Sequence, residues 1–243
     1  YIHHNHAFSF GGGIYSSGAA HIMNNRISYN HATSQGGGIY CRKSKARVIA
    51  NLIHNNRFCG LAVKNCDPFI ANNLIVNNAA DAPLGDWHYK REGSGLYINI
   101  NSDAIIVNNT ICNNLSSQYK GSSVRLRSDT KFINNIVWGN LDDFGNPAPI
   151  SIEGAIHVDI LNSIVQGGME SIRIEHLEYQ GLIEEILDSL PQFLNPSEGI
   201  GMNSDGSAAV WNINALSPAI NNGKYDPEIF QEFRLDYEKT RQP

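Results

Sequence analysis

No stretch of this chain approaches the ~18 consecutive apolar residues that a membrane-spanning helix needs, and no signal peptide can be read at its start. It lacks a positive excess as well: 18 Lys and Arg stand against 23 Asp and Glu, a formal net charge of -5. That excludes a general nucleic-acid binder, which neutralises phosphates with surplus cations, and leaves room only for a local basic face. Cysteine is scarce. Cys41, Cys59, Cys66 and Cys112 form no C-x-x-C pair, which removes zinc-ribbon and thioredoxin-like readings. Cys59 and Cys66 are near enough to bridge; the alternative is that the four are small buried thiols. No H-E-x-x-H is present, so His3, His4, His6, His21 and His31 read as surface or turn residues.

What the chain does have is glycine, asparagine and isoleucine in quantity, and they recur. An apolar-x-x-Asn motif, usually with Asn two residues upstream, reads Ile2 to Asn5, Ile27 to Asn30, Ile53 to Asn56, Ile75 to Asn78, Ile111 to Asn114 and Val137 to Asn140. A degenerate copy runs from Val165 to Gly168. The apolar position recurs at 2, 27, 53, 75, 111, 137 and 165, with spacings of 25, 26, 22, 36, 26 and 28. A second column keeps the same phase: Gly11-Gly12-Gly13-Ile14-Tyr15, Gly36-Gly37-Gly38-Ile39-Tyr40, Gly60-Leu61, Gly93-Ser94-Gly95-Leu96-Tyr97 and Gly121-Ser122-Ser123-Val124, extended by Ile150 and Ile172.

A repeat of this length is too short for a strand–helix–strand crossover and shows no helical period. Runs such as Ile70 to Ile75 read as short strands broken by Asn. Parallel strands return to one another by right-handed crossovers. The expected fold is therefore all-β: a right-handed parallel β-helix solenoid of about seven coils, each with two or three short strands stacked ~4.8 Å on the next. A leucine-rich repeat would need Leu-x-x-Leu-x-Leu, and the ladder here is Ile and Val with abundant Gly. The Asn column reads as structural, with side chains bonded to one another and to turn backbone. The Gly triplets suit turns at positive φ and not phosphate binding, because no helix pattern follows them.

The motifs Asn-Asn-x-Ile-x-x-Asn and Gly-Gly-Gly-Ile-Tyr resemble the right-handed parallel β-helix repeat proteins of bacteria. That superfamily is similar in fold to pectate lyases, alginate and chondroitin lyases and polygalacturonases. The segments Leu190 to Pro196 and Leu216 to Gly223 resemble the closing portion of many such secreted proteins. The resemblance covers residues 1–225 and implies a secreted or bacterial cell-surface protein that binds or cleaves a carbohydrate polymer. No catalytic signature of the superfamily maps residue by residue onto this chain. Tyr1 already lies inside a repeat and no sorting domain follows Pro243, so further coils or domains of a longer precursor are expected.

Within the chain, residues 1–175 are expected to form the coils and 176–243 a C-terminal helix and capping segment of the same domain. Leu177, Ile183, Ile186, Leu187 and Leu190 carry a spacing that suits a short amphipathic helix over 176–190. The 36-residue spacing marks an insertion loop at 79–92, dense in aromatic and titratable groups from Asp86 to Glu92.

Strand alternation after the Gly column turns two rows of side chains outward. The first holds Tyr15, Tyr40, Ala62, Tyr97, Arg125, Ser151 and Arg173. The second holds Ser17, Arg42, Lys64, Asn99, Arg127, Glu153 and Glu175. Tyr40, Arg42 and Tyr97 are candidate substrate contacts, with Trp87 and His88 of the insertion closing over them; rings can stack on sugars and Arg can pair with carboxylate. The alternative is an ordinary solvated sheet whose charges deter edge pairing. A lyase acting on uronic acid must neutralise a carboxylate and remove the proton beside it. Lys64 is the candidate base, with Arg125 and Arg127 as carboxylate partners and His88 or Tyr89 as alternative bases. Asp67, Asp103 and Asp129 recur after this strand and could stack as a Ca2+ site, or cap independent turns. Two function classes stay open: a polysaccharide lyase on acidic glycan, and a non-catalytic adhesin, glycan-binding or structural module of an envelope protein.

Overall fold

The computed structural model describes residues 1–43, 45–80, 93–117, 122–155, 157–229 and 231. Short strands stack in parallel on three faces of a solenoid. The first face is a seven-stranded sheet of Ile14–Ser16, Ile39–Arg42, Leu61–Lys64, Leu96–Ile98, Val124–Leu126, Ile150–Ile152 and Ile172–Ile174. The second runs through His21–Met23, Arg47–Ile49, Phe69–Ala71, Ala104–Val107 and Thr130–Ile133. The third runs through Ile2–His3, Arg26–Ser28, Leu52–His54, Leu74–Val76, Thr110–Cys112 and Ile136–Trp138. The long strand Val158–Val165 turns the corner and joins the second and third faces into one sheet.

The sequence columns are the inward ladders. Ile27, Ile53, Ile75, Ile111 and Val137 stand in direct register and are fully buried. Ile14, Ile39, Leu61, Leu96, Val124, Ile150 and Ile172 form the matching ladder of the first face. Aliphatic residues from all three faces meet in one core, with β-branched side chains favoured by the pleat.

A coil needs sharp corners, and left-handed backbone supplies them. Between the second and third faces, Asn24, Ala50, Asn72, Asn108, Asn134, Asn162 and Glu185 sit at φ of 47–57°. At the end of the third face, His4, Tyr29, Asn55, Asn77 and Asn113 do the same, at φ of 51–56°. Asn tolerates this region better than most residues.

The residue after each corner points inward, and there the asparagines stack. Asn25, Asn51, Asn73, Asn109 and Asn135 form one ladder, Asn5, Asn30, Asn56, Asn78, Asn114 and Asn140 the other. Asn78 shows the pattern. Its Nδ2 donates to Asn114 Oδ1 at 3.1 Å, to the Ile53 carbonyl at 3.0 Å and to the Val76 carbonyl at 3.2 Å. Its Oδ1 accepts from the Asn56 backbone N–H at 2.9 Å and from Asn56 Nδ2 at 3.0 Å. The ladders pair turn groups that no strand can reach, as the structural reading of the Asn column expects. The Gly column has a steric cause: a Cβ at Gly37 would overlap the Arg57 carbonyl of the adjoining coil.

The expected helix over 176–190 is not formed. Ile183–Leu187 is a strand, parallel to Val158–Val165. Glu185 sits at φ 53° in the corner, opposite Asn162 at φ 47°. A corner residue lengthens the inward repeat from two positions to three, so Ile183 and Ile186 both pack on the core. That spacing imitates a helical face.

The segment from Leu190 onward is also not a cap on the last coil. It straps the flank, running back toward the first coils. Phe193, Ala209 and Trp211 pack on Leu52, Leu74, Val76, Cys112, Ile136 and Trp138 outside the third face. Asn113 Nδ2 donates to the Ser197 carbonyl at 2.9 Å, Asn55 Nδ2 to the Ser204 carbonyl at 2.7 Å, and Tyr29 Oη to Asp205 Oδ1 at 3.1 Å. Ile229 then covers Phe69, Val107 and Ile133 on the second face. At the end of the last coil Leu177 stays fully exposed. All four cysteines are buried and none is in a disulfide, so Cys59 and Cys66 form no bridge. Burial raises the Cys41 and Cys112 thiols far above their usual range.

Candidate functional site

The first face carries its outward side chains in the expected register. Tyr40 lies opposite Ala62, Ala62 opposite Tyr97, Tyr97 opposite Arg125, and Arg42 opposite Lys64. Register and exposure part company in the first row. Tyr40 is 1 % exposed, Tyr97 3 % and Arg125 4 %. Their tips are enclosed by side-chain packing that strand alternation does not describe. Phe10 stacks on Tyr40 at 4.7 Å, and Tyr40, Cys59, Ala62 and Tyr97 form a small apolar cluster outside the main core. Only Tyr15 of this row's aromatics is exposed.

Arg125 is not a free carboxylate partner. Its guanidinium grips Glu153 with two nitrogens, at 2.9 Å from Nε to Oε1, and lies over the Tyr97 ring at 5.5 Å. Ser151 Oγ donates to the same carboxylate at 3.3 Å and meets Ser122 Oγ at 2.7 Å. Arg173 likewise pairs with Glu175 at 3.1 Å. Both acids of the second row are thus neutralised by arginines of the first.

The cations of the second row are not neutralised in that way. Arg42 and Lys64 are half-buried and directly opposed on adjoining strands. Among the described residues neither meets an acid, and Arg42 Nε is buried with no hydrogen-bond partner. Two steps further, Arg127 is half-buried and donates to neutral oxygens, Tyr97 Oη at 3.2 Å and Asn99 Oδ1 at 3.3 Å. Like charges directly opposite one another across a sheet destabilise it. An anion lying along Arg42, Lys64 and Arg127 relieves that cost, and guanidinium geometry suits a carboxylate or sulfate.

Asp67, Asp103 and Asp129 line one shallow cleft with Arg127. Two of them bond to turn backbone. Asp67 Oδ1 accepts the Asp103 N–H at 3.2 Å, and Asp129 Oδ1 accepts the His157 N–H at 3.1 Å. Among the described residues no three His, Cys, Asp or Glu side chains gather as a metal centre. Asp67 Oδ1 and Asp129 Oδ1 thus each meet a backbone donor of the next coil, the arrangement that turn capping calls for. Trp87, His88 and Tyr89 lie outside the described residues. The first-coil histidines are exposed or half-exposed, as expected; His6 stacks on His31 at 4.6 Å.

Sequence reasoning missed the flank beneath the strap. Trp138, Trp211, Phe193 and Glu198 border a cleft there. Trp138 and Trp211 are two of only three tryptophans in the chain. That scarcity is a signal in the sequence, but their proximity is not.

Three parallel faces, two inward Asn ladders and a buried aliphatic core define the class: a parallel β-solenoid. The particular family follows from comparison. The family model described as "Right handed beta helix region" matches residues 1–163, and the chain belongs to that family. Comparison with curated proteins and with solved structures found no match. Among the described residues no helix is long and apolar enough to cross a membrane.

Proposed function

We propose that this protein is a secreted or cell-surface β-helix that binds an acidic polysaccharide along the row Arg42, Lys64, Asn99 and Arg127. The carrying observation is the asymmetry of that row: Glu153 and Glu175 are neutralised by their own arginines, whereas Arg42 and Lys64 stand opposed with no acid among the described residues. Coils stacked ~4.8 Å apart present cations at intervals that a polymer bearing one carboxylate per sugar can meet repeatedly. Such polymers lie outside cells, which supports the location.

Titration of polygalacturonate and alginate, with dextran as the neutral control, tests the reading. Arg42→Ala and Lys64→Ala should each weaken binding about tenfold at low salt, as hydrogen bonds to charged groups contribute about 1.5–3 kcal/mol. The loss should shrink as salt screens the partly exposed charges. Equal affinity for dextran, or unchanged affinity in the double variant, would sink it.

Lys64 beside Arg42 also supports a second, stronger form of the reading, a lyase. Arg42 would neutralise a uronate carboxylate while Lys64 accepts the proton from the carbon beside it. The glycosidic oxygen then leaves as a double bond forms. Unsaturated product absorbance that Lys64→Ala lowers about 10²–10⁴-fold, with affinity much less changed, is the mark of that form.

A further inference from the structure

In this asparagine-rich chain only Asn222 is followed by glycine, and Asn222-Gly223 lies in the strap with both residues exposed. The side-chain amide of an asparagine is an electrophile for the backbone nitrogen that follows it. Attack needs that nitrogen free and uncrowded, and glycine, with no Cβ, leaves it uncrowded. Among the described residues the Gly223 N–H makes no hydrogen bond, and the Asn222 side chain is held only through Nδ2, which donates to the Pro218 carbonyl.

The coil protects the stacked asparagines from the same reaction. After Asn73, the Leu74 N–H donates to the Asn51 carbonyl at 2.9 Å; after Asn114, the Leu115 N–H donates to the Asn78 carbonyl at 2.9 Å. At the corners, the nitrogens after Asn72 and Asn77 donate to Asn109 Oδ1 and Asn114 Oδ1, each at 2.9 Å. A nitrogen committed to the neighbouring coil cannot turn on the preceding side chain.

Directly after Gly223 the strap is clamped. The Lys224 N–H donates to Asn134 Oδ1 at 2.7 Å, and Asn134 Nδ2 donates back to the Lys224 carbonyl at 2.9 Å. Two residues on, Asp226 Oδ1 accepts the N–H groups of Glu228 at 3.0 Å and Ile229 at 3.3 Å. That turn delivers Ile229, which is 2 % exposed, onto Phe69, Val107 and Ile133.

We propose that Asn222 is a self-modification site whose product unfastens this end of the strap from the second face. The Gly223 nitrogen bonds to Asn222 Cγ and gives up its proton as the side-chain nitrogen leaves as ammonia, closing a cyclic imide. Water then opens the ring at either carbonyl. One product is aspartate. The other is isoaspartate, whose main chain runs through the former side chain and is longer by one methylene, about 1.5 Å of contour. Both Lys224 bonds go to one corner residue, so length added just before them draws Lys224 off Asn134. Ile229 then loses its seat and the apolar patch beneath it is bared. The reaction needs only water and touches no residue of the basic row.

Aging the protein at mildly alkaline pH, followed by peptide mapping, tests the chemistry. The peptide holding Asn222 should gain the mass of an amide-to-acid exchange and become a substrate for isoaspartyl methyltransferase, while peptides of the Asn ladders should not. Asn222→Gln and Gly223→Ala should each lose that gain. Gly223→Ala fits the fold, because a Cβ there comes no nearer to Asn134 than 3.4 Å, an ordinary contact. Hydrogen exchange at Lys224 and Ile229 tests the consequence. The isoaspartate form, separated chromatographically, should exchange there faster than fresh protein. Asn222→Asp, with the new charge on an unaltered main chain, should exchange as wild type. An unmodified Asn222 after aging, or earlier modification of the ladders, overturns the proposal. So does unchanged exchange in the isoaspartate form, or equally fast exchange in Asn222→Asp.

Discussion

Asn78 shows how much one side chain carries in this fold. It is fully buried, and its amide links three successive coils. Asn78→Ala strands the Asn56 backbone N–H together with the Ile53 and Val76 carbonyls. The expected loss is about 1–3 kcal/mol, read as a fall in the urea midpoint, with binding of polygalacturonate unchanged. Lost binding at an unchanged midpoint would instead make the ladder functional. His54 is the second telling residue. Its Nε2 accepts from Arg26 Nε at 3.1 Å and its Nδ1 faces Asn55 Oδ1 at 2.8 Å, so it is neutral with the proton on Nδ1. Burial, the largest cause, holds its pKa below the usual 6.5, and the Arg26 charge adds to that. The unfolded chain therefore binds the extra proton first. Stability from this group is full above about pH 6.5 and drains as pH falls toward the lower folded value. Between pH 7.5 and 5 the melting temperature should drop, and the drop should be smaller in His54→Gln. Identical pH slopes would refute a buried neutral His54. The Asn role was legible in the sequence because it repeats. The His54 role was not, since its partners lie a coil away and in the neighbouring corner.

At the scale of the element, the corner decides what a spacing means. Ile183, Ile186 and Leu187 fit a helix by their intervals, yet they form a strand bent at Glu185. The earlier coils place Asn72, Asn108, Asn134 and Asn162 at that corner, with φ of 47–57°. A non-Gly, non-Asn residue there bears a left-handed penalty, and the Glu185 side chain is exposed. Glu185→Asn should accordingly stabilise by about 0.5–1 kcal/mol, a part of the full penalty, seen as a raised urea midpoint. A lowered midpoint would show that the Glu185 side chain contributes something the corner geometry does not reveal. The strap makes the same point on a larger element. Its sequence has little repeat character, and nothing in it announces that Trp211 will lie on Val76 and Cys112 while Ile229 covers Val107.

Over the whole molecule, the three faces are not equivalent. The second and third carry apolar patches outside the coil on which residues of the strap pack. The first has a polar and charged exterior whose acids are paired and whose Arg42 and Lys64 are not, although the chain as a whole is negative at -5. The sequence by itself determined the coil, its register and the direction each side chain leaves the sheet. It could do so because a solenoid contacts only its neighbours, so the repeat period is the structure. The outward row from Tyr15 to Arg173 was placed correctly in this way, and so were the inward ladders through Ile27 and through Ile39. Only the tertiary structure decided what those outward side chains meet. Tyr40, Tyr97 and Arg125 became buried through contacts between rows and with Phe10, and Arg125 was claimed by Glu153 from the neighbouring row. Asp129 was drawn to the His157 backbone, and Trp138 met Trp211 across a separation of more than 70 residues. Direction is a local property of strand alternation, whereas exposure, pairing and pockets depend on which distant segment lands on the face, and no period in the chain encodes that.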